Sequence, residues 1–368
     1  MININRDTQT YRVLVIAPAW VGDLVMSQTL FKILKKQYGD SLELDVFANS
    51  WTKGLLLRMD EVNVVIDNPF AHGKLSLFER IRLGFSLRKF KYDQVIVLPN
   101  SLKSAIMPFF AKIKKRTGFV GESRYGLLND IYKLDKERLP KMIDRFCALI
   151  NNGEKPKKID FPHLNTDIQN QYELIEKLNI HTAGARNLGT HAVGIDTVGA
   201  HTRKIVAFCP AAEYGISKRW LPDYFAQLAD MLIDEGYLIL VLGSNKDITI
   251  GEKILQNVKT PSGIINLCGK TDLVDTVDVL ALCTHVVTND SGLMHVACAV
   301  GVNVIGVYGS SSPDFTPPLS SHAQILRVSL ACSPCFERTC RYGHYNCLKL
   351  ITPDVVYGRI INKFAPAS

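Results

Sequence analysis

Short β-branched runs alternate along the chain with longer segments whose apolar residues recur every three or four positions. The first pattern predicts buried strands and the second amphipathic helices. Their alternation predicts βαβ units built on parallel sheets. Strands are expected at 12–17, 43–48, 63–66 and 94–98, then at 205–209, 238–242, 264–267, 285–288 and 303–308. Between the two sets, residues 151–203 are mostly polar and end in a run rich in small residues. The expected architecture is α/β: a Rossmann-like domain over 1–180, a polar linker over 181–203, and a second Rossmann-like domain over 204–368. Two such domains would face each other across a cleft. In open sheets of this kind ligands bind beyond the carboxyl ends of the strands.

With 47% hydrophobic and 21% charged residues, the 368-residue chain has globular composition, not that of a disordered or fibrous protein. The net charge of +8 is uneven: residues 1–160 carry 27 basic and 17 acidic side chains, the remainder 16 and 18. A basic first half is expected to face an anionic partner. The longest apolar stretch, Val296–Tyr308, is interrupted by Gly301 and Asn303 and falls short of the roughly 20 residues a bilayer requires. The N-terminus lacks the apolar core of a signal peptide, so a cytoplasmic chain with reduced cysteines is expected. Cys147, Cys209, Cys268, Cys283 and Cys298 lie in apolar surroundings and read as core residues.

The common nucleotide signatures fail when counted. No G-x-G-x-x-G follows the first strand, and Gly263–Thr271 has five residues between its glycines where a Walker loop has four. The better candidate is Thr288–His295, where a strand meets an apolar helix. Asp290 or Ser291 can cap that helix, Gly292 permits close approach of a ligand to the backbone, and His295 lies in the first turn. Free amides there suit a diphosphate, although an ordinary capped helix would look the same. Further small or polar turns end neighbouring strands: Gly309–Pro313, Pro210–Trp220 with Lys218 and Arg219, and Gly243–Asp247, where Ser244 is a candidate for a ribose or base. In the first half, Asp23 follows the first strand at a loop-to-helix junction. It is suited either to complementing the helix dipole or to acting as a general base.

At this point a resemblance becomes specific. WVGDLVMSQTL, LPNSLKSA, RTGFVGESRYGLLND, the KRW segment, VTNDSGLMHVA and YGSSSPDFTPPLS together resemble the ADP-heptose:lipopolysaccharide heptosyltransferases of glycosyltransferase family nine. The likeness runs from about residue 12 to 330, in family order; the insertion at 181–203 and the cysteine-rich tail depart from it. It implies a GT-B fold and inverting transfer without an essential metal. ADP-heptose would lie on the second domain against Lys218, Asp290, Ser291, Gly292 and His295, with Asp23 as base. The implied acceptor is the first heptose of the lipid A–Kdo inner core. Alternatives are a related transferase with another acceptor, or a non-catalytic nucleotide-sugar-binding protein; nucleic acid is not an expected partner.

Lys103, Arg116 and Arg124 fall in expected loops of the first domain and are candidates for gripping acceptor phosphate or carboxylate. Residues 75–91 are basic, with Leu75, Phe78, Ile81 and Phe85 at helical spacing. They suit either an acidic membrane surface, hence peripheral contact with the inner membrane, or ordinary packing of a helix on its own sheet. Packing is the favoured expectation. Cys332, Cys335, Cys340 and Cys347 lie within sixteen residues, with His344 among them. Free thiols, disulfides formed on oxidation, and a structural zinc all suit that spacing.

Overall fold

The structure, a computed structural model, describes residues 10–71, 73–180 and 204–361. The expected linker at 181–203 therefore lies outside the described residues. The chain divides into two compact units, Met1–Pro162 and His163–Ser368.

The first unit is built on six parallel strands: β1 (Tyr11–Ile16), β2 (Leu42–Ala48), β3 (Val64–Asp67), β4 (Gln94–Val97), β5 (Lys115–Phe119) and β6 (Asp130–Tyr132). The second repeats the plan with β7 (Ile205–Cys209), β8 (Leu238–Val241), β9 (Ile264–Asn266), β10 (His285–Asn289), β11 (Asn303–Tyr308) and β12 (Ala323–Arg327). The sheet orders are β3-β2-β1-β4-β5-β6 and β12-β11-β10-β7-β8-β9. Each is the doubly wound order, which reverses direction between β1 and β4 and again between β7 and β10. Loops leaving the carboxyl ends diverge there and open a crevice.

The central strands lie between helical layers, so they read as continuous apolar runs; Val13, Leu14 and Val15 are fully buried, as are Val206, Ala207 and Phe208. Three strands escaped the sequence pattern: β5, β6 and β12. Their sequences, KRTGF, DIY and AQILR, are short and carry polar residues at partly exposed positions. The helix Gly292–Val300 ends at Gly301, whose φ of 89° is readily reached only without a Cβ; its amide closes onto Ala297 and Cys298 carbonyls.

The unit boundary also differs from the expected one. Residues 163–180 belong with the second unit, and one buried carboxylate there helps to anchor them: Asp278 accepts from the amide of Asp167 and from Asn170 Nδ2, each at 2.7 Å. Asp167 in turn caps the helix Ile168–Lys177 by accepting from the amides of Gln169 and Asn170. An aspartate holding donors on a distant segment has no signature in local sequence.

Asp278→Ala should lower stability by about 1–3 kcal/mol, since two part-buried donors lose their acceptor. Hydrogen exchange should rise chiefly over 163–180. Unchanged exchange in that segment would show that the anchor is not what attaches it.

Candidate active site

In the second unit the loops after β7 and β10 flank the sheet's reversal point. Asn289, fully buried at the end of β10, joins them. Its Nδ2 donates to the carbonyl of Pro210 at 2.6 Å, and its Oδ1 accepts from the amide of Trp220 at 2.8 Å. Trp220 is itself fully buried and donates from its indole to the carbonyl of Ile351. Lys218 therefore projects from a loop fixed at both ends.

Its ammonium lies 2.6 Å from Asp290 Oδ2, and both side chains are largely buried. Thr316 Oγ1 donates to the same carboxylate at 3.2 Å. Asp290 therefore holds a lysine in place and does not cap the helix. Ser291 occupies the cap position without a side-chain hydrogen bond to the first turn of helix Gly292–Val300, so its side chain leaves those amides available to an anion. His295 is buried behind this turn, and its Nδ1 has no hydrogen-bond partner. Burial pushes its pKa down to about 4, outweighing the opposite pull of Asp290. The imidazole is thus neutral near pH 7.

Ser217 and Ser310 join hydroxyls at 2.9 Å, bringing the turn after β11 against the turn after β7. Ser311 is buried with an unpartnered hydroxyl. Ser244 differs from the expected contact with a ribose or base: its hydroxyl and amide both donate to Asp247, forming a capping box at the end of β8.

In the first unit, Asp23 is half-buried in the first turn of helix Val21–Tyr38, directly after the loop that leaves β1 at that sheet's reversal point. The three candidate acceptor cations fare differently. Lys103 stands on the helix Leu102–Phe110, with its ammonium 3.4 Å from the carbonyl of Lys74. Arg116 lies on β5 and donates to the carbonyls of Leu127 and Ile113. Arg124 is fully buried, with its fork on the carbonyls of Pro99 and Phe119. These two guanidiniums hold loops together; the planar fork that suits a carboxylate also suits paired carbonyls. Burial lowers the pKa of Arg124 to about 10, which leaves it charged near pH 7.

The family model for glycosyltransferase family 9 (heptosyltransferase) matches residues 80–346. Lipopolysaccharide heptosyltransferase 2 of Escherichia coli K12 is 42% identical over 348 residues, covering 94% of this chain and 96% of that protein. Lipooligosaccharide heptosyltransferase 2 of Haemophilus influenzae is 46% identical over 323 residues, covering 86% and 88%. The solved E. coli ADP-heptose lps heptosyltransferase II superposes with a TM-score of 0.80 at 39% identity, covering 95% of this chain and 97% of that one. The chain belongs to glycosyltransferase family 9. Its fold is that family's GT-B type, and as a family 9 heptosyltransferase it is an enzyme, as the motifs implied.

One part of this family 9 site was not legible in the sequence. The cysteine-rich tail is stitched onto the loops that carry Lys218 and Ser310. The amide of Phe336 donates to Ser310 O at 2.8 Å, the amide of Ser217 donates to Arg338 O at 3.2 Å, and Ser333 Oγ donates to Gly309 O. Hydroxyls of Ser217 and Tyr214 donate to the carbonyls of Glu337 and Phe336. A Cβ on Gly215 would stand 2.4 Å from Arg338 O, so only glycine admits this approach. That glycine was the one available signal. The four cysteines themselves are free; Cys347 is buried and the others half-buried. Among the described residues no three His, Cys, Asp or Glu side chains are grouped to hold a metal ion. Burial first, then the neighbouring thiols, pushes Cys347 up, while amides led by that of Tyr345 draw Cys340 down. His344 instead accepts from the amide of Asn346 through Nδ1.

Gly215→Ala should lower stability by about 1–3 kcal/mol as an overpacking change, read as a melting temperature several degrees lower. An unchanged melting temperature would show that the tail is not seated against this loop. His295 gives a pH test. Its folded pKa lies below the 6.5 of an unfolded histidine, so as pH falls the unfolded chain takes up the proton first. The stability linked to this group is present above about pH 6.5 and is lost toward pH 4, by roughly 2–3 kcal/mol. Wild-type melting temperature should fall more steeply across that window than that of His295→Asn. Parallel curves would refute a neutral buried imidazole.

Proposed function

We propose that this chain moves an L-glycero-D-manno-heptosyl group from ADP-heptose to the first heptose of the lipopolysaccharide inner core, with inversion. The carrying observation is identity of 42% and 46%, over most of the chain, with relatives named lipopolysaccharide and lipooligosaccharide heptosyltransferase 2. In this reading the donor diphosphate rests against Lys218, Ser291, Gly292 and His295. Asp23 takes the proton of the acceptor hydroxyl as its oxygen attacks the anomeric carbon from the face opposite ADP. The new glycosidic bond forms as the bond to diphosphate breaks, and negative charge grows on the departing ADP. Lys218 and the first-turn amides meet that charge where it develops, which lowers the barrier and not merely the ground state. Asp290 acts through Lys218 as a positioning residue, and no metal is needed for the charge. His295 contributes an N–H to the diphosphate as a neutral donor.

Lys103 is the acceptor-side cation we retain from the three expected. The acceptor is amphiphilic, which favours work at the cytoplasmic face of the inner membrane. No helix among the described residues is long and apolar enough to cross a membrane, so that contact is read as peripheral.

Asp23→Asn should reduce turnover by about 10²–10⁴-fold, the usual worth of a positioned general base, with ADP affinity unchanged. Mass spectrometry of a truncated acceptor incubated with ADP-heptose should show the addition of one heptose by wild type. Turnover by the variant near the wild-type rate would remove Asp23 from the mechanism. Absence of any heptosyl product with wild type would remove the reaction.

A further inference from the structure

The helix Leu77–Leu87 packs inward through Leu83, Gly84 and Leu87 and leaves two phenylalanines on its outer face. Its buried positions are Arg80, Gly84 and Leu87, while Phe78 is 82% exposed and Phe85 48% exposed. Leu75 and Leu77 are exposed as well. Packing within its own unit, the favoured sequence expectation, is met through Leu83 and Leu87 and not through the stripe of Leu75, Phe78 and Phe85. Two contacts set this orientation. A Cβ on Gly84 would meet the carbonyl of Met107 at 2.6 Å, so this face is pressed against helix Leu102–Phe110. Arg80 turns in beside it, donating from Nε to Leu75 O at 2.7 Å with its guanidinium 4.0 Å from the Phe70 ring centre.

At helical spacing the outward stripe reads Phe78, Arg82, Phe85, and Lys89 follows just beyond the helix. Arg88 lies 4.3 Å from the ring centre of Phe85. Beside it is a hollow of about 400 Å³ with Phe85, Phe109 and Phe110 in its wall and Arg88, Lys112 and Lys114 among its cations. Between Gly73 and Arg116 the sequence carries eleven Lys and Arg against two Asp and Glu. The local excess of nine exceeds the +8 of the whole chain, so positive charge is concentrated in this stretch of the sequence. Exposed aromatics interleaved with cations match an interface that is apolar beneath and anionic on top.

We propose that the outward face of helix Leu77–Leu87, continued by the adjoining aromatic hollow, is the surface by which this protein rests on an anionic phospholipid bilayer. Phe78 and Phe85 enter at headgroup depth, and Arg82, Arg88, Lys89 and Lys112 meet lipid phosphates. The inference rests on the reading of a lipid-borne acceptor and assigns that reading a place on the molecule.

The test is sedimentation of the full chain with vesicles of phosphatidylcholine alone or mixed with phosphatidylglycerol, at low and high salt. Wild type should bind the mixed vesicles at low salt and be released by salt. Arg82→Glu with Lys89→Glu should bind at least about tenfold more weakly, each basic residue near the surface being worth roughly fivefold. Phe78→Ser with Phe85→Ser should lose binding while melting at the wild-type temperature. Both variants should transfer normally to a deacylated, soluble acceptor and poorly to one embedded in vesicles. If wild type binds and both variants bind equally well, the surface is wrong and peripheral contact stands. If wild type binds no vesicle yet transfers to the soluble acceptor, surface and peripheral contact both fall and the transferase reading stands. Binding to neutral vesicles regardless of salt, or to an oligonucleotide in place of vesicles, would overturn the proposal.

Discussion

The ion pair between Lys218 and Asp290 governs the architecture of the second unit's site. At 2.6 Å and largely shielded from water, neither charge is stable without the other. Because Lys218 leaves the loop after β7 and Asp290 the end of β10, the pair spans the reversal point of the sheet. Asn289 and Trp220 fix the same two loops from below, so the ammonium is placed by rigid elements and not by a mobile side chain. Such prior placement lets a charge act on a reacting group without reorganisation during the reaction.

The pair also settles the electrostatic character of the site. With Lys218 offset by Asp290 and His295 neutral through burial, these three side chains present little net charge before a ligand arrives. Attraction for an anion then depends on the open amides at Ser291 and Gly292 and on what the lysine can share. A site of this kind favours a ligand that grows more negative as its bond breaks, since the donors gain most from that increase. The tail over 333–338 belongs to this design, because its backbone holds both serine turns in contact.

Three arginines of the first unit are turned to internal use. Arg80, Arg116 and Arg124 turn their forks to carbonyl oxygens and hold loops to helices and strands. Guanidinium tolerates this burial because it is weakly hydrated and offers several donors in one plane. On helix Leu77–Leu87 Arg80 turns inward beside Leu83 and Leu87 while Phe78 and Phe85 stay outside.

Much of the fold was determined by the sequence itself. Nine of the strands lie where β-branched runs placed them, because a strand buried on both faces has to be apolar along its length. The turn after β10 was legible for a similar reason: strand end, small residues and helix start are adjacent in the chain, as are β1, its loop and Asp23. What depended on distant partners was not legible. Asp290 looked like a cap until Lys218 was found beside it, and Ser244 looked like a ligand contact until Asp247 took its hydroxyl. Arg124 looked like an exposed grip and is a buried brace; the tail looked like a cysteine cluster and is a brace for the site. Residues 163–180 joined the second unit through Asp278, more than a hundred positions away. Local patterns determine elements because each element must satisfy its own backbone and bury its own face. Tertiary structure alone decides the role of a polar side chain, because that role is set by which donor or acceptor comes within 3 Å when the elements pack.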